Sequence, residues 1–394
     1  MSKTSQATAV EPFLPFAQPD IRQEEIDEVV DTLKSGWLTA GPKVQTFEEG
    51  IREVTQAEHA VALSSCTAGM HLALLALDIG PGDEVITTPL TFAATVNVIL
   101  HAGATPVLAD VSERDFNIDL GQIEARFTDA TKAIMPMHYG GQPCEMEELL
   151  AFARQHELRV IEDAAHALGA RYRGTPIGAT TDAAVFSFYP IKAITTGQGG
   201  MLTTNNSELA ERVRLLSLHG LSKNAWNRYS EQGRAEYQVL APGFNYAMTD
   251  IQAALGIHQI RRLASFQDRR VEIAERYDDL FADLPEVVRP PVREDVEHAW
   301  HLYPIRLQLD QLRIDRDQFI DELRERGIGT SVHFIPIHLH PYYRESLDIG
   351  PGDFPVAERI YESLISLPIY PKMRDRDVER VASAVREIAT AARS

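Results

Sequence analysis

Lys192 stands in the segment SFYPIKAITTGQGG, directly after the apolar run 183–188. That run has the texture of a buried strand, so the lysine falls just past a strand's carboxyl end, where parallel sheets receive their ligands. Gly197, Gly199 and Gly200 follow it and let backbone come close to a bound group. A lysine kept among apolar residues sheds its proton readily and attacks a carbonyl carbon to form a Schiff base. A surface lysine in a glycine-rich loop leaves the same trace, and this segment alone does not choose between the two.

Asp163, in VIEDAAHALGA, ends another apolar run. In a strand, adjacent Glu162 and Asp163 point to opposite faces, so only one of them can enter a site. A carboxylate buried there needs a cationic partner. The protonated ring nitrogen of pyridoxal phosphate (PLP) would serve, since its electron-sink chemistry requires such a carboxylate. A helix-capping or structural aspartate is the competing reading. In SSCTAGMHLAL (64–74) a strand runs into a helix through small hydroxylated residues. A helix start presents free N–H groups and a positive dipole to a phosphate, although Ser65 or Thr67 serves equally as a plain N-cap. Ser187, and Asn245 in GFNYAMTD, offer further polar contacts to a phosphate. Phe92, opening a helix, either stacks on an aromatic cofactor or joins the core.

His298, His301, His333, His338 and His340 gather in the C-terminal part without a tight ligand spacing, so no metal site is expected. GxGxxG, GxxxxGK[ST] and GxSxG motifs are absent, which weakens dinucleotide, P-loop and α/β-hydrolase readings.

These residues need a frame. Apolar runs at 59–65, 84–88, 105–111, 132–139, 159–164, 183–188 and 200–205 read as strands. Helical spacing occupies 21–33, 67–79, 92–103, 145–157 and 207–219 between and around them. The alternation predicts a mostly parallel sheet covered on both faces. The stretch 222–243 lacks periodicity and is long enough to be functional or to reach another subunit. A long helix over 249–284, interrupted or bent, precedes a change of texture: strand 298–309, helix 316–327, strand 328–334 and helix 375–392. We therefore expect a flexible N-terminus at 1–12, a large α/β domain over 13–283 and a small α+β domain over 284–394.

Composition excludes several classes. The chain has 394 residues, 38 Lys and Arg against 57 Asp and Glu, and a net charge of −19. That balance argues against nucleic acid or an anionic membrane as partner. Two separated cysteines, Cys66 and Cys144, make no disulfide framework and suggest a reducing compartment. No apolar stretch reaches membrane-spanning length and the first residues lack a signal-peptide core, so a soluble cytoplasmic protein is expected.

The ordered segments, from SSCTAGMH through EDAAHALGA, SFYPIK with its glycine loop, and GFNYAMTD to GIGTSVHFIPIH and SLPIYP, resemble the PLP-dependent nucleotide-sugar aminotransferases of the DegT group. The resemblance covers roughly 13–390. It implies the aspartate aminotransferase-type fold (PLP fold-type I), with a seven-stranded sheet. SGWLTAGPK and LHGL add similarity to the UDP-4-amino-4-deoxy-L-arabinose aminotransferases. It further implies that Lys192 carries the cofactor and shuttles the proton, that Asp163 holds the ring nitrogen, and that Phe92 lies against the ring. His166 is placed near the ring's phenolic oxygen. Thr67, Ala68 and Ser187 are placed on the phosphate, with Asn245 coming from the neighbouring subunit of a homodimer with shared sites.

The substrates implied are a UDP-linked 4-keto sugar, such as the 4-keto-pentose, and L-glutamate, giving an amino sugar for lipopolysaccharide. Lys223, Arg228, Arg234 and His333 are candidate contacts to the nucleotide sugar, because arginine forks suit phosphate oxygens. Two positions depart from the family pattern. Gln198 replaces the expected glutamate of Gly-Glu-Gly-Gly, and Asn245 stands where the closest subgroup is expected to have lysine. A 4-keto-6-deoxyhexose is the close rival substrate. A PLP-dependent sugar dehydratase is disfavoured by Lys192, where that class is expected to carry histidine; intact Lys192 and Asp163 disfavour a non-catalytic PLP-binding regulator.

Overall fold

A computed structural model describes residues 12–222 and 237–394. Nearly all of the N-terminal segment expected to be flexible lies outside these residues. Seven strands form the main sheet in the order His59–Leu63, Gly200–Thr204, Ala183–Ser187, Arg159–Asp163, Thr131–Ile134, Glu84–Thr87, Thr105–Leu108. Gly200–Thr204 runs antiparallel to both its neighbours, and the other observed pairings are parallel. The predicted mostly parallel, seven-stranded α/β architecture is what forms. Ala183–Ser187 is buried almost throughout, as a central strand covered on both faces must be.

The helix Cys66–Ala76 is apolar on nearly every side because it is enclosed. It packs on the strands Gly200–Thr204 and Ala183–Ser187 and is flanked by the helices Ala93–His101 and Ser207–Ser217. Its start is pressed against the sheet at Gly200. A Cβ there would stand 2.4 Å from the amide nitrogen of Cys66, so no other residue type fits without displacing the helix.

The long helix expected over 249–284 is interrupted as expected: it is two helices, Asp250–Arg261 and Leu263–Phe281, broken at Arg262, whose ψ of 0° leaves helical geometry. A capping box of Thr249 and Gln252 sets the first start. A second core gathers Tyr277 and Phe281 with Tyr303, Ile305, Phe319, Ile365 and Val385. It also draws in Leu14 from the other end of the chain. Its sheet is antiparallel: Val287–Val288, Tyr303–Leu307 and Leu364–Leu367.

Two strand expectations are corrected here. The run 298–309 becomes a strand only at Tyr303, because Trp300 takes a left-handed φ of 46° and the Ala299 and Leu302 amides donate to the carbonyls of Gly141 and Gly140. Among the described residues the run 328–334 makes only isolated bridges, Leu14 with Ile328 and Ser331 with Ser366. The place beside Tyr303–Leu307 goes to Leu364–Leu367, so His333 lies outside any strand. Helices at Pro42–Thr55, Leu120–Arg126, Pro341–Leu347 and Pro355–Ser363 were not anticipated. Among the described residues no helix is long and apolar enough to cross a membrane.

Candidate active site

Lys192 follows the strand Ala183–Ser187 in a loop that closes on itself. The Phe188 amide donates to Gly199 O at 3.0 Å, and Phe188 O accepts from the amide of Thr196 at 3.1 Å and the hydroxyl of Thr195 at 3.0 Å. The Lys192 amide donates to Tyr189 O at 2.9 Å. The side chain is thus launched from a fixed backbone. Its Nζ reaches to 3.5 Å from His301 Nε2. Burial pulls the ammonium from 10.5 down to about 8, while the neighbouring Asp163 carboxylate and Cys66 thiol push the other way. The shift raises the free-amine share at neutral pH to about a tenth, far above that of an ordinary lysine, which favours attack on a carbonyl.

Asp163 ends the adjacent parallel strand, in register with Val185. It is buried; Oδ2 accepts from the Thr95 hydroxyl at 2.7 Å and Oδ1 from the Ala165 amide at 3.1 Å. Thr95 is in turn 2.7 Å from the Thr91 hydroxyl. Glu162 makes a separate buried set, bonded to His138 Nε2 at 2.7 Å and to the Thr181 hydroxyl at 2.6 Å. His138 Nδ1 accepts from the Cys144 amide at 3.0 Å, so its proton sits on Nε2 and is donated to Glu162.

Ser65 is the N-cap of Cys66–Ala76, its Oγ accepting from the Ala68 amide at 3.0 Å. The Ala68 N–H is therefore engaged within the chain. Cys66 and Thr67 occupy the first two helical positions, where amides lack helical partners. Ser187 is half-buried, with its Oγ 3.4 Å from the Tyr189 amide. Phe92 caps the helix Ala93–His101 and is 60% exposed, its ring 6.1 Å from that of Phe334. Asn245 is exposed and bridges Leu218 through its backbone. Gln198 is exposed as well, its carbonyl accepting from Thr196 Oγ1 and Gln252 Nε2.

His166 is buried, 4.2 Å from the His301 ring centre and stacked at 5.9 Å on Phe334. Burial, then Lys192, His333 and His138, hold its pKa well below the ordinary value. His333 is buried with Nδ1 3.0 Å from Ser366 Oγ, and burial, reinforced by Lys192, pulls it to about 3. Lys223, Arg228 and Arg234 lie outside the described residues.

Thr95 and His301 were not named for this site from sequence. The one signal for His301 was its membership of the histidine-rich HAWH segment; Thr95 had none.

The arrangement fits PLP. Among the described residues, the Nδ1 atoms of His166 and His301 are buried without partners, beside a low-pKa amine, a buried carboxylate and a helix start. Lys192 would hold the aldehyde carbon, Asp163 the ring nitrogen and the helix start at Thr67 the phosphate. When bound, the cofactor supplies an electron sink for the negative charge left by removal of a proton next to an amine.

Comparison with known proteins agrees. The profile of the DegT/DnrJ/EryC1/StrS aminotransferase family matches residues 19–386. The chain is 52% identical over 377 residues to the spore coat polysaccharide biosynthesis protein SpsC of Bacillus subtilis, covering 95% of this chain and 97% of that one. Spr1654 of Streptococcus pneumoniae, provisionally described as a sugar aminotransferase, is 34% identical over 96% of this chain and 99% of its own. It was solved in PMP and PLP forms, with TM-scores of 0.90 and 0.89. Helicobacter pylori PseC, an aminotransferase involved in the biosynthesis of pseudoaminic acid, is 32% identical over 97% of this chain and 100% of its own, with a TM-score of 0.89.

Proposed function

We propose that this chain, which belongs to the DegT/DnrJ/EryC1/StrS aminotransferase family and is a PLP-dependent sugar aminotransferase, moves an amino group from L-glutamate to the 4-keto carbon of a nucleotide-linked sugar. The observation that carries this reading is the Lys192 amine, lowered to about 8 and set beside buried Asp163. In the first half-reaction Lys192 Nζ would take the proton from the donor's Cα, and water would supply the keto oxygen with which 2-oxoglutarate leaves, the amino group staying behind for the sugar. In the second half, Nζ delivers a proton to C4 of the sugar. Asp163 would keep the ring nitrogen protonated. Phe92 would lie against the ring and His166 near its phenolic oxygen, while Thr67, Ala68 and Ser187 would hold the phosphate. With Ala68 N–H already donated to Ser65, Thr67 is the stronger of the two helix-start contacts.

The sugar in this reading is a UDP-linked 4-keto-pentose, as the similarity to UDP-4-amino-4-deoxy-L-arabinose aminotransferases suggests, and the product serves a surface polysaccharide such as lipopolysaccharide. Lys223, Arg228 and Arg234, with His333, would face the phosphates. Asn245, in place of the lysine expected in that subgroup, favours a second reading with a 4-keto-6-deoxyhexose. One methyl group separates the two acceptors, worth only ~1–3 kcal/mol. kcat/KM should be highest for UDP-4-keto-pentose among UDP- and dTDP-linked 4-keto sugars, with glutamate preferred to glutamine. A preference for the 6-deoxyhexose selects the second reading. Amination of simple ketones but of no nucleotide sugar sinks both.

We further propose a homodimer with shared sites, in which Asn245 serves the partner's phosphate. Its exposure here and its place just past the aperiodic stretch 222–243 support this, as does the prevalence of two-fold dimers. Mixing inactive Lys192→Ala and Asn245→Ala subunits should restore part of the activity. A fully active monomer at micromolar concentration contradicts it.

A further inference from the structure

We propose that His301 is the positioning residue of Lys192: its Nε2 holds the lysine amine on station while the amine carries a proton. This rests on the reading of Lys192 as the reacting amine. The 3.5 Å approach to Nε2 is the only hydrogen bond of Nζ among the described residues. The other ring nitrogen of His301 is buried without a partner among the described residues, so no other bond seen there accounts for a histidine at this position.

The backbone that aims the ring is gripped from both sides. Ala299 N–H donates to Gly141 O at 2.9 Å and Leu302 N–H to Gly140 O at 3.1 Å. Between them Trp300 takes φ 46°, a conformation that a bulky aromatic residue adopts only when its surroundings impose it. They do so here. Trp300 N–H donates to His298 Nδ1 at 2.7 Å, the indole stacks on His298 at 4.1 Å, and buried Arg270 donates to Trp300 O at 3.2 Å and Ile369 O at 2.7 Å. Gly141, at φ 100°, completes the grip: a Cβ there would lie 2.9 Å from His166 O and 3.2 Å from His301 N. This is strain spent on placing one imidazole against one amine.

The charges around Nζ define what the imidazole does. The Asp163 carboxylate and Cys66 thiol act on Nζ, and His301 touches it, with His166 and His333 beyond. Burial pushes His301 well below its ordinary range, and His166, Lys192, Arg270 and His333 push the same way. The ring is therefore neutral at neutral pH and accepts a hydrogen bond from the ammonium. Such an acceptor favours the charged amine, which must keep the proton it has taken until delivery. The sign follows: removing the acceptor lowers the lysine's midpoint below the value that burial already sets.

The test uses His301→Leu, which keeps bulk, and His301→Gln, which also keeps an acceptor. In cofactor-free enzyme, the pH dependence of Lys192 acylation by acetic anhydride, read by peptide mass spectrometry, gives the midpoint. His301→Leu should lower it by about one pH unit and His301→Gln by less than half as much. In holoenzyme, kcat should fall at least about twentyfold in His301→Leu, with both KM values within about threefold and partial rescue by glutamine. A midpoint that stays or rises in His301→Leu overturns the proposal, as does an equal loss in both variants at unchanged midpoint. Should the leucine variant not fold, His301→Met against His301→Gln makes the same comparison. Failure of the Lys192 reading shows separately, because borohydride would then still fix the cofactor to a Lys192→Ala chain.

Discussion

Lys192→Ala is expected to leave no measurable turnover, a loss of at least about 10⁴-fold in kcat. On the proposed reading two functions disappear with one amine: the covalent hold on the aldehyde carbon and the base that takes the donor's Cα proton. The fold should survive. The loop around position 192 is held by backbone bonds, Lys192 N–H to Tyr189 O and Phe188 to Gly199, which alanine leaves intact. The removed group is moreover one that burial penalises as an ion. The melting temperature should therefore change by no more than about 3 °C. Cofactor should wash out on dialysis with no borohydride-fixed adduct, and an added primary amine such as methylamine should return part of the rate. A variant retaining full activity would move the assignment to another amine.

Much of this frame was legible because parallel strands buried on both faces must be continuous apolar runs. HAVAL, AAVFS and GMLTT announce themselves in this way, and the chemistry-bearing residues sit just beyond such runs. What failed was set by tertiary pairing. IGTSVHF has strand-like residues, but among the described residues it makes one parallel bridge to Leu14 and one antiparallel bridge to Ser366, because Leu364–Leu367 already fills the ladder of Tyr303–Leu307. The helix Pro42–Thr55 was readable in principle: Pro42 opens it, and Val44, Phe47 and Ile51 fall on one face. Its charged face masked that stripe. Thr95 and His301 are illegible for a different reason. Each acquires its role from a partner 68 or 109 residues away, and local pattern contains no trace of such a contact.

The electrostatic division between the two central residues bears on the second large effect. On the proposed reading Lys192 changes protonation during turnover, and burial lowers its pKa to about 8; Asp163 serves as a carboxylate, and each of its oxygens accepts one hydrogen bond. Asp163→Asn keeps shape and removes charge. The Ala165 N–H can still donate to the amide oxygen. The Thr95 hydroxyl can turn to accept from the new NH2 and donate to Thr91, 2.7 Å away. Local structure is thus preserved and the change isolates the charge. Without it the ring nitrogen would lose its proton and the electron sink would weaken, so kcat should fall about 10²- to 10⁴-fold, ~2.7–5.5 kcal/mol of transition-state stabilisation. Thr95→Val, which removes one hydrogen bond to a charged group and leaves the charge, should cost about tenfold. Steady-state kinetics on both variants at saturating cofactor decides the matter. A loss below about tenfold in Asp163→Asn, roughly 1.4 kcal/mol, would mean that another group keeps the ring protonated.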